Sequence, residues 1–236
     1  MKHKIWAVIP VKQFALAKGR LAPVLDADER ATLARLMLED VLDVMSSSRD
    51  VLAGTIVVTS DPDAAACAKR NGAMVVFDHA DNGINAAVHF AIEHVAGADE
   101  GLVVVPSDIP HITPGAIVAA ARAILPMRTM AIAASDDRGT NLLACRPAGA
   151  TPLHFGRGSF DLHCRLAAQA GITVHELRLP ELSLDLDRPQ DLRSFLSLES
   201  RTRTHEFLSR PGIRARVEFI GEGREAAGLA VAGASR

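Results

Sequence analysis

The feature that most restricts this chain is a repeated switch between two hydrophobic periods. Short apolar, β-rich runs at 5–9 (I-W-A-V-I), 55–59 (T-I-V-V-T) and 73–77 (A-M-V-V-F) read as buried strands. Helical stretches separate them. In the first, Leu33, Leu36, Met37, Val41 and Val44 share one stripe, with Asp26 or Asp28 placed to cap it and Ser46, Ser47 and Ser48 at its end. The second opens at Ser60-Asp61-Pro62 and stops at Asn71-Gly72, a left-handed terminating pair. Strands joined by connections of this length need crossovers, so the sheet must be mostly parallel. Further runs at 101–105, 130–134, 142–145 and 172–177 extend it. The expectation from this pattern is an α/β chain with a mostly parallel sheet.

In such sheets ligands bind outside the carboxyl ends of the strands, so the residues there matter most. Pro10 is expected to end the first strand, since it has no N–H for a ladder. The loop after it carries Lys12, Lys18 and Arg20 and no acid. There is neither a G-x-x-x-x-G-K-[ST] nor a G-x-G-x-x-G turn, so glycine amides cannot cradle phosphates here. The cations are either the phosphate grip themselves or ordinary solvated charges. Asp81-Asn82-Gly83-Ile84-Asn85 suits recognition of a base or ribose, and equally suits a plain turn and helix cap.

The fourth run ends in Pro106-Ser107-Asp108-Ile109-Pro110. Prolines on both sides hold Asp108 rigid, as a Mg²⁺ ligand or as the cap of the helix near Thr113-Pro114. At 182–187 (L-S-L-D-L-D) alternation sets Asp185 and Asp187 on one face of an expected strand. Two such carboxylates repel, and the segment holds no pair of cations, so a metal is the expected partner. Asp191 reads as a cap or partner along the following helix. A hairpin turn accounts for 136–141. It does not require Thr140 in particular. Gly156-Arg157-Gly158-Ser159 opens a helix with Ser159 expected at its cap, which is weak grounds for a second anion pocket beside Thr140.

Composition excludes several classes. A net charge of −2 argues against nucleic-acid partners, and no apolar stretch is long enough for a membrane span. Cys67, Cys145 and Cys164 form no C-x-x-C and read as reduced thiols of a cytoplasmic protein. Residues 1–200 are expected to form the working domain. The arginine-rich 201–236 is expected to form an extension, with an edge strand near 217–220 and a mobile tail after Gly221.

Taken in order, I-P-V-K-x-F-x-x-A-K-x-R-L, D-x-G-x-N-x-A, P-x-D-I-P, G-T-N, F-G-x-G-S-F-x-x-H and D-L-D-x-P-x-D-L resemble the guanylyltransferase family of deazaflavin-coenzyme (factor 420) biosynthesis. The match covers Ile5 to Leu192. The resemblance implies an α/β fold with a Rossmann-like, mostly parallel mixed sheet of the nucleotide-diphospho-sugar transferase type, with a homodimer compatible. It implies transfer of GMP from GTP to the phosphate of a small phosphorylated acid: 2-phospho-L-lactate, phosphoenolpyruvate or 3-phospho-D-glycerate. By motif, Lys12, Lys18 and Arg20 would hold the GTP phosphates, and Asn82, Gly83, Asn85 and Pro106 would lie by the nucleoside. Asp108, Asp185 and Asp187 would bind Mg²⁺, and Thr140, Gly156, Ser159 and His163 would face the acceptor. Cys145, His154 and His163 make that end polar, which favours 3-phospho-D-glycerate. Rivals are another sugar-phosphate or cofactor nucleotidyltransferase, a glycosyltransferase of the same fold, and a non-catalytic nucleotide-binding regulator.

Overall fold

A computed structural model describes residues 5–77, 83–95 and 100–219. Asn82 and the tail after Gly221 lie outside the described residues. Seven strands, β1 (Ile5–Val11), β2 (Gly54–Thr59), β3 (Met74–Phe77), β4 (Gly101–Val104), β5 (Thr129–Ala134), β6 (Thr140–Arg146) and β7 (Thr173–Glu176), form one sheet in the order β3-β2-β1-β4-β6-β5-β7. Only β6 runs against the rest, pairing antiparallel with both β4 and β5. A mostly parallel mixed sheet is what the crossover spacing required.

Helices cover both faces, and strand alternation sorts the core between them. Ile5, Ala7, Ile9 and Val11 join one apolar cluster, while Val8 joins the other. The first side carries α1 (Ala27–Ser47), α2 (Pro62–Arg70), α4 (Pro114–Ala123) and α6 (Pro189–Leu196), and the second carries α3 (Ile84–His94) and α5 (Ser159–Gln169). The caps follow the local chemistry. Asp26 and Glu29 make a reciprocal capping box on α1, and Thr113 caps α4 ahead of Pro114.

Four local expectations are corrected. β1 does not stop at Pro10: it runs to Val11, with Pro10 in register with Val58. Val8 O accepts from Val105 N, so the N–H that Pro10 lacks would also point toward β4, which has already ended. Gly158, not Ser159, is the N-cap of α5, in the left-handed region (φ 70°) that a residue without Cβ adopts freely. Residues 183–187 form no sheet strand; after a 3₁₀ turn at Pro180–Leu182 they run as irregular chain into α6. Residues 217–219 belong to a helical stretch, 211–219, rather than an edge strand.

The arginine-rich region is packed as far as it is described. α7 (Arg203–Leu208) starts against Asp40 of α1, whose buried carboxylate accepts from Arg203 N, Thr204 N and Thr204 Oγ1. Phe207, Leu208, Ile213 and Val217 are buried in the first cluster. Among the described residues no helix is long and apolar enough to cross a membrane.

Candidate active site

The chain leaves β1 toward β2 on one side, and β4 returns on the other side of β1. That reversal makes the carboxyl ends of β1 and β4 the switch point where open α/β sheets bind ligands. A cleft of about 560 Å³ opens there, lined by Lys12, Lys18, Arg20, Gly83, Pro106, Asp108 and Asp187 among others. Its other end reaches Val58, Thr59 and Ser60 at the tip of β2.

The cation loop is not loose. Phe14–Leu16 and Gly19–Leu21 each form a 3₁₀ turn, and Lys18 between them has φ 57° and ψ 33°, the left-handed region that costs a side-chain-bearing residue about 1 kcal/mol or more. That backbone brings the ammonium inward, so the Lys18 side chain is only 7% exposed. Its Nζ lies 2.7 Å from Asp108 Oδ2 and 2.8 Å from Asp187 Oδ1, and Arg20 reaches Asp187 Oδ2 at 3.2 Å. Lys12 is exposed in the cleft and has no ion pair among the described residues.

Carboxylate oxygens of Asp108, Asp185 and Asp187 all come within 4.8 Å of one another. One backbone bond brings their segments together, and a side-chain cap holds the end of the second. Leu186 N donates to Asp108 O, and the Asp191 carboxylate accepts from Asp187 N and Arg188 N at the start of α6. Although 183–187 is not a strand, its course still buries Leu186 and leaves Asp185 and Asp187 in one cluster. The segment itself holds no pair of cations, as its sequence states, and the one ammonium that reaches Asp187 comes from Lys18, in a loop far away in sequence.

The charges remain unbalanced. Three carboxylates face Lys18 and Arg20, and the shortfall falls on Asp185. Burial, then the nearby Asp108 charge, push its carboxyl up to about 6, against hydrogen bonds from Asn141 and from its own backbone N–H. Asp187 goes the other way: burial alone would raise it, but Lys18 outweighs that and lowers it. Burial likewise opposes charge on Lys18, and the two aspartates outweigh it and raise its pKa. A set of three hard oxygen donors with one carboxylate left uncompensated has the chemistry that suits Mg²⁺.

Asn141 was not singled out in sequence as a site residue. Its Nδ2 donates to Leu182 O at 3.0 Å and lies 3.4 Å from both Ser183 O and Asp185 Oδ1. It thereby pins the acidic loop to β6. The usable signal was its place beside Thr140, since neighbours on a strand face opposite ways. Thr140 does face the other side: its Oγ1 lies 2.7 Å from Ser159 Oγ and 3.2 Å from His163 Nδ1.

His163 is fully buried, and its Nε2 accepts from His154 N at 2.9 Å, so Nδ1 carries the proton and donates to Thr140. Burial, then His154, lower its pKa to about 4, which keeps it neutral. It therefore orients Thr140 rather than presenting a free ring to a ligand. The α5 N-terminus is also partly used, because Ser159 N donates to Gly156 O and Phe160 N to Arg138 O. Gly156 itself is exposed, with φ 141°. Asn85 ties α3 to this corner: its Oδ1 accepts from Phe155 N at 2.6 Å. Gly83, N-cap of α3 with φ 83°, reaches the cleft itself.

One reversed strand in a parallel sheet, with acids and cations meeting at the switch point, is the architecture of the nucleotide-diphospho-sugar transferase fold. A solved structure described as a candidate nucleotide-diphospho-sugar transferase from Desulfovibrio desulfuricans superposes with a TM-score of 0.69, covering 92% of this chain and 97% of that one; at 19% identity the likeness speaks to the fold. The family follows from sequence. The model described as "Guanylyl transferase CofC like" matches residues 5–227, and the chain belongs to that family. A phosphoenolpyruvate guanylyltransferase from Roseiflexus castenholzii is 35% identical over 89% of this chain and 98% of its own length. A 2-phospho-L-lactate guanylyltransferase from Methanothermobacter thermautotrophicus is 31% identical over 87% and 90%. The family is the one its ordered motifs resemble, and the match runs past Leu192, where those motifs end.

Proposed function

We propose that the protein transfers GMP from GTP to the phosphate of a small phosphorylated carboxylic acid, releasing pyrophosphate, and that phosphoenolpyruvate is the preferred acid. The observation that carries this reading is the meeting of Lys18, Asp108 and Asp187 at the switch point, with Asp185 uncompensated beside them. Lys12, exposed in the same cleft, and Arg20 add charge for the triphosphate. The nucleoside then lies toward Gly83 and Ser60, away from the acids.

The acceptor's phosphate oxygen is already anionic, so attack at the α-phosphorus requires no general base. What the reaction demands is alignment and neutralisation of charge. Asp108, Asp185 and Asp187 would hold Mg²⁺, which when bound supplies positive charge at the reacting phosphate. Lys18 and Arg20 position the triphosphate and steady its leaving end. Asn141 fixes Asp185, and His163 fixes Thr140, which with Ser159 and the exposed Gly156 backbone forms the acceptor end one residue along β6. Buried, neutral His163 takes no proton.

The preference for 3-phospho-D-glycerate is withdrawn. It rested on the polarity of Cys145, His154 and His163, but Cys145 is fully buried within β6, its thiol pushed up to about 11 by that burial. His163 spends both nitrogens internally, so neither group is free to recognise a substrate hydroxyl. The relatives give that acid no support either, being named for phosphoenolpyruvate and 2-phospho-L-lactate. Pyrophosphate release from GTP, with ATP and CTP as controls and all three acids and a sugar phosphate as acceptors, tests the proposal. Turnover with GTP and phosphoenolpyruvate should dominate. Release only with a sugar phosphate would move the protein to another nucleotidyltransferase class.

A further inference from the structure

Asp61 enters the sequence as a helix cap, and capping uses only one of its oxygens. Oδ1 accepts from Asp63 N at 2.7 Å and Ala64 N at 3.1 Å, closing the first turn of α2. Oδ2 crosses to the loop after β1 and accepts from Phe14 N at 2.6 Å, a buried bond spanning 47 residues. Asp61 N in turn donates to Thr59 Oγ1 at 3.0 Å, so the carboxylate is set by the end of β2 on which it rides. Asp61 is 7% exposed and Phe14 is equally buried. A second, longer contact, Gln13 Nε2 to Ser60 Oγ at 3.3 Å, lies beside it.

These bonds fasten the loop at its middle. Lys12 stands two residues before Phe14, and Lys18 and Arg20 follow the 3₁₀ turn that begins there. No bond of Asp61 touches the cleft chemistry directly. We propose that Asp61 is a positioning residue for the nucleotide: its second oxygen sets the height of the cation loop over the cleft, and thereby where Lys12 and Lys18 meet the triphosphate. This rests on the reading that the loop grips GTP.

A carboxylate can serve three N–H donors with two acceptor oxygens, whereas an amide offers one oxygen and one NH₂. In Asp61→Asn the oxygen is retained on the side with two donors, the α2 cap, because Asn is as good a cap as Asp. The NH₂ then faces Phe14 N–H, donor against donor, and the loop is released. Asp61→Ser does the same by another route, capping α2 through its hydroxyl while being too short to reach Phe14.

The experiment is steady-state pyrophosphate release with GTP, Mg²⁺ and phosphoenolpyruvate for the wild type, both variants, Lys12→Ala and the Lys12→Ala/Asp61→Asn double variant. KM for GTP should rise about tenfold or more in both single Asp61 variants, with acceptor KM unchanged. In the Lys12→Ala background the same change should add less than about threefold, because both act through one loop. A merely structural role would lower the melting temperature without splitting the two KM values or producing that non-additivity. Normal GTP KM in both folded variants overturns the inference and leaves the guanylyl-transfer reading standing. Failure of both variants to fold overturns it too, making Asp61 a residue of the fold alone. A wild type that releases no pyrophosphate from GTP ends both together.

Discussion

Removing one negative charge from the site should make the metal-free protein more stable while destroying its activity. The perturbation is Asp185→Asn, nearly isosteric and still able to accept from Asn141. In the folded protein burial and then Asp108 raise the Asp185 carboxyl from 3.8 to about 6. That shift of roughly two units corresponds to about 3 kcal/mol of disfavour for the ionised form, reduced to about 2 kcal/mol because the group is partly open to solvent. The sign follows from linkage. A carboxyl whose folded pKa is raised holds its proton longer in the folded state, so it weakens stability as pH climbs from about 4 to 6, and the full penalty stands above 6. The groups facing it are Asp108, Asp187 and Asn141, with Lys18 held between the other two acids. In chelator at pH 8 the variant should therefore gain about 2 kcal/mol, or about 4–8 °C for a chain of this size. The gain should fade near pH 4, where the wild-type carboxyl is protonated. Thermal and urea unfolding at both pH values read this directly, and pyrophosphate release should fall by several orders of magnitude. A variant no more stable than wild type at pH 8, or equally more stable at pH 4, would refute the argument.

Lys18→Met should cost about 2–3 kcal/mol in chelator by leaving three clustered carboxylates with Arg20 alone, and millimolar Mg²⁺ should restore much of the loss, measured by unfolding with and without the ion. No destabilisation in chelator, or no larger Mg²⁺ response than wild type shows, would contradict the reading that these acids need a cation among them. Lys12→Ala should raise KM for GTP well above any change in KM for the acid, and the reverse pattern would misplace the first loop. Thr140→Val leaves the His163 N–H and the Ser159 hydroxyl short of a buried partner, costing about 1–3 kcal/mol. It should raise the acceptor's KM and spare that of GTP; a change confined to GTP would reassign that corner.

What the sequence determined by itself was whatever short-range chemistry enforces. Alternating periods marked out the strands and helices. Asp26 and Asp61 announced helix starts, and Gly72 an end, because a cap needs only neighbours a few residues away; the cap of α4 is Thr113 rather than Asp108. The ordered motifs also marked the family and the three aspartates. Tertiary structure decided the rest. The hairpin turn at 136–141 marked the reversal of β6 against β5, but that β6 inserts between β5 and β4 depends on which edges remained open, which no local pattern records. That Asp108 and Asp187 share an ammonium while Asp185 goes without one depends on a lysine 169 residues from Asp187, held inward by a left-handed backbone. The same holds for Asp61, whose cap was legible and whose grip on Phe14 was not, and for Pro10, which stays in its strand because the neighbour it would have bonded has ended. A residue's type states which bonds it is able to make; only the fold, by bringing distant segments within about 3 Å, decides which of them it does make.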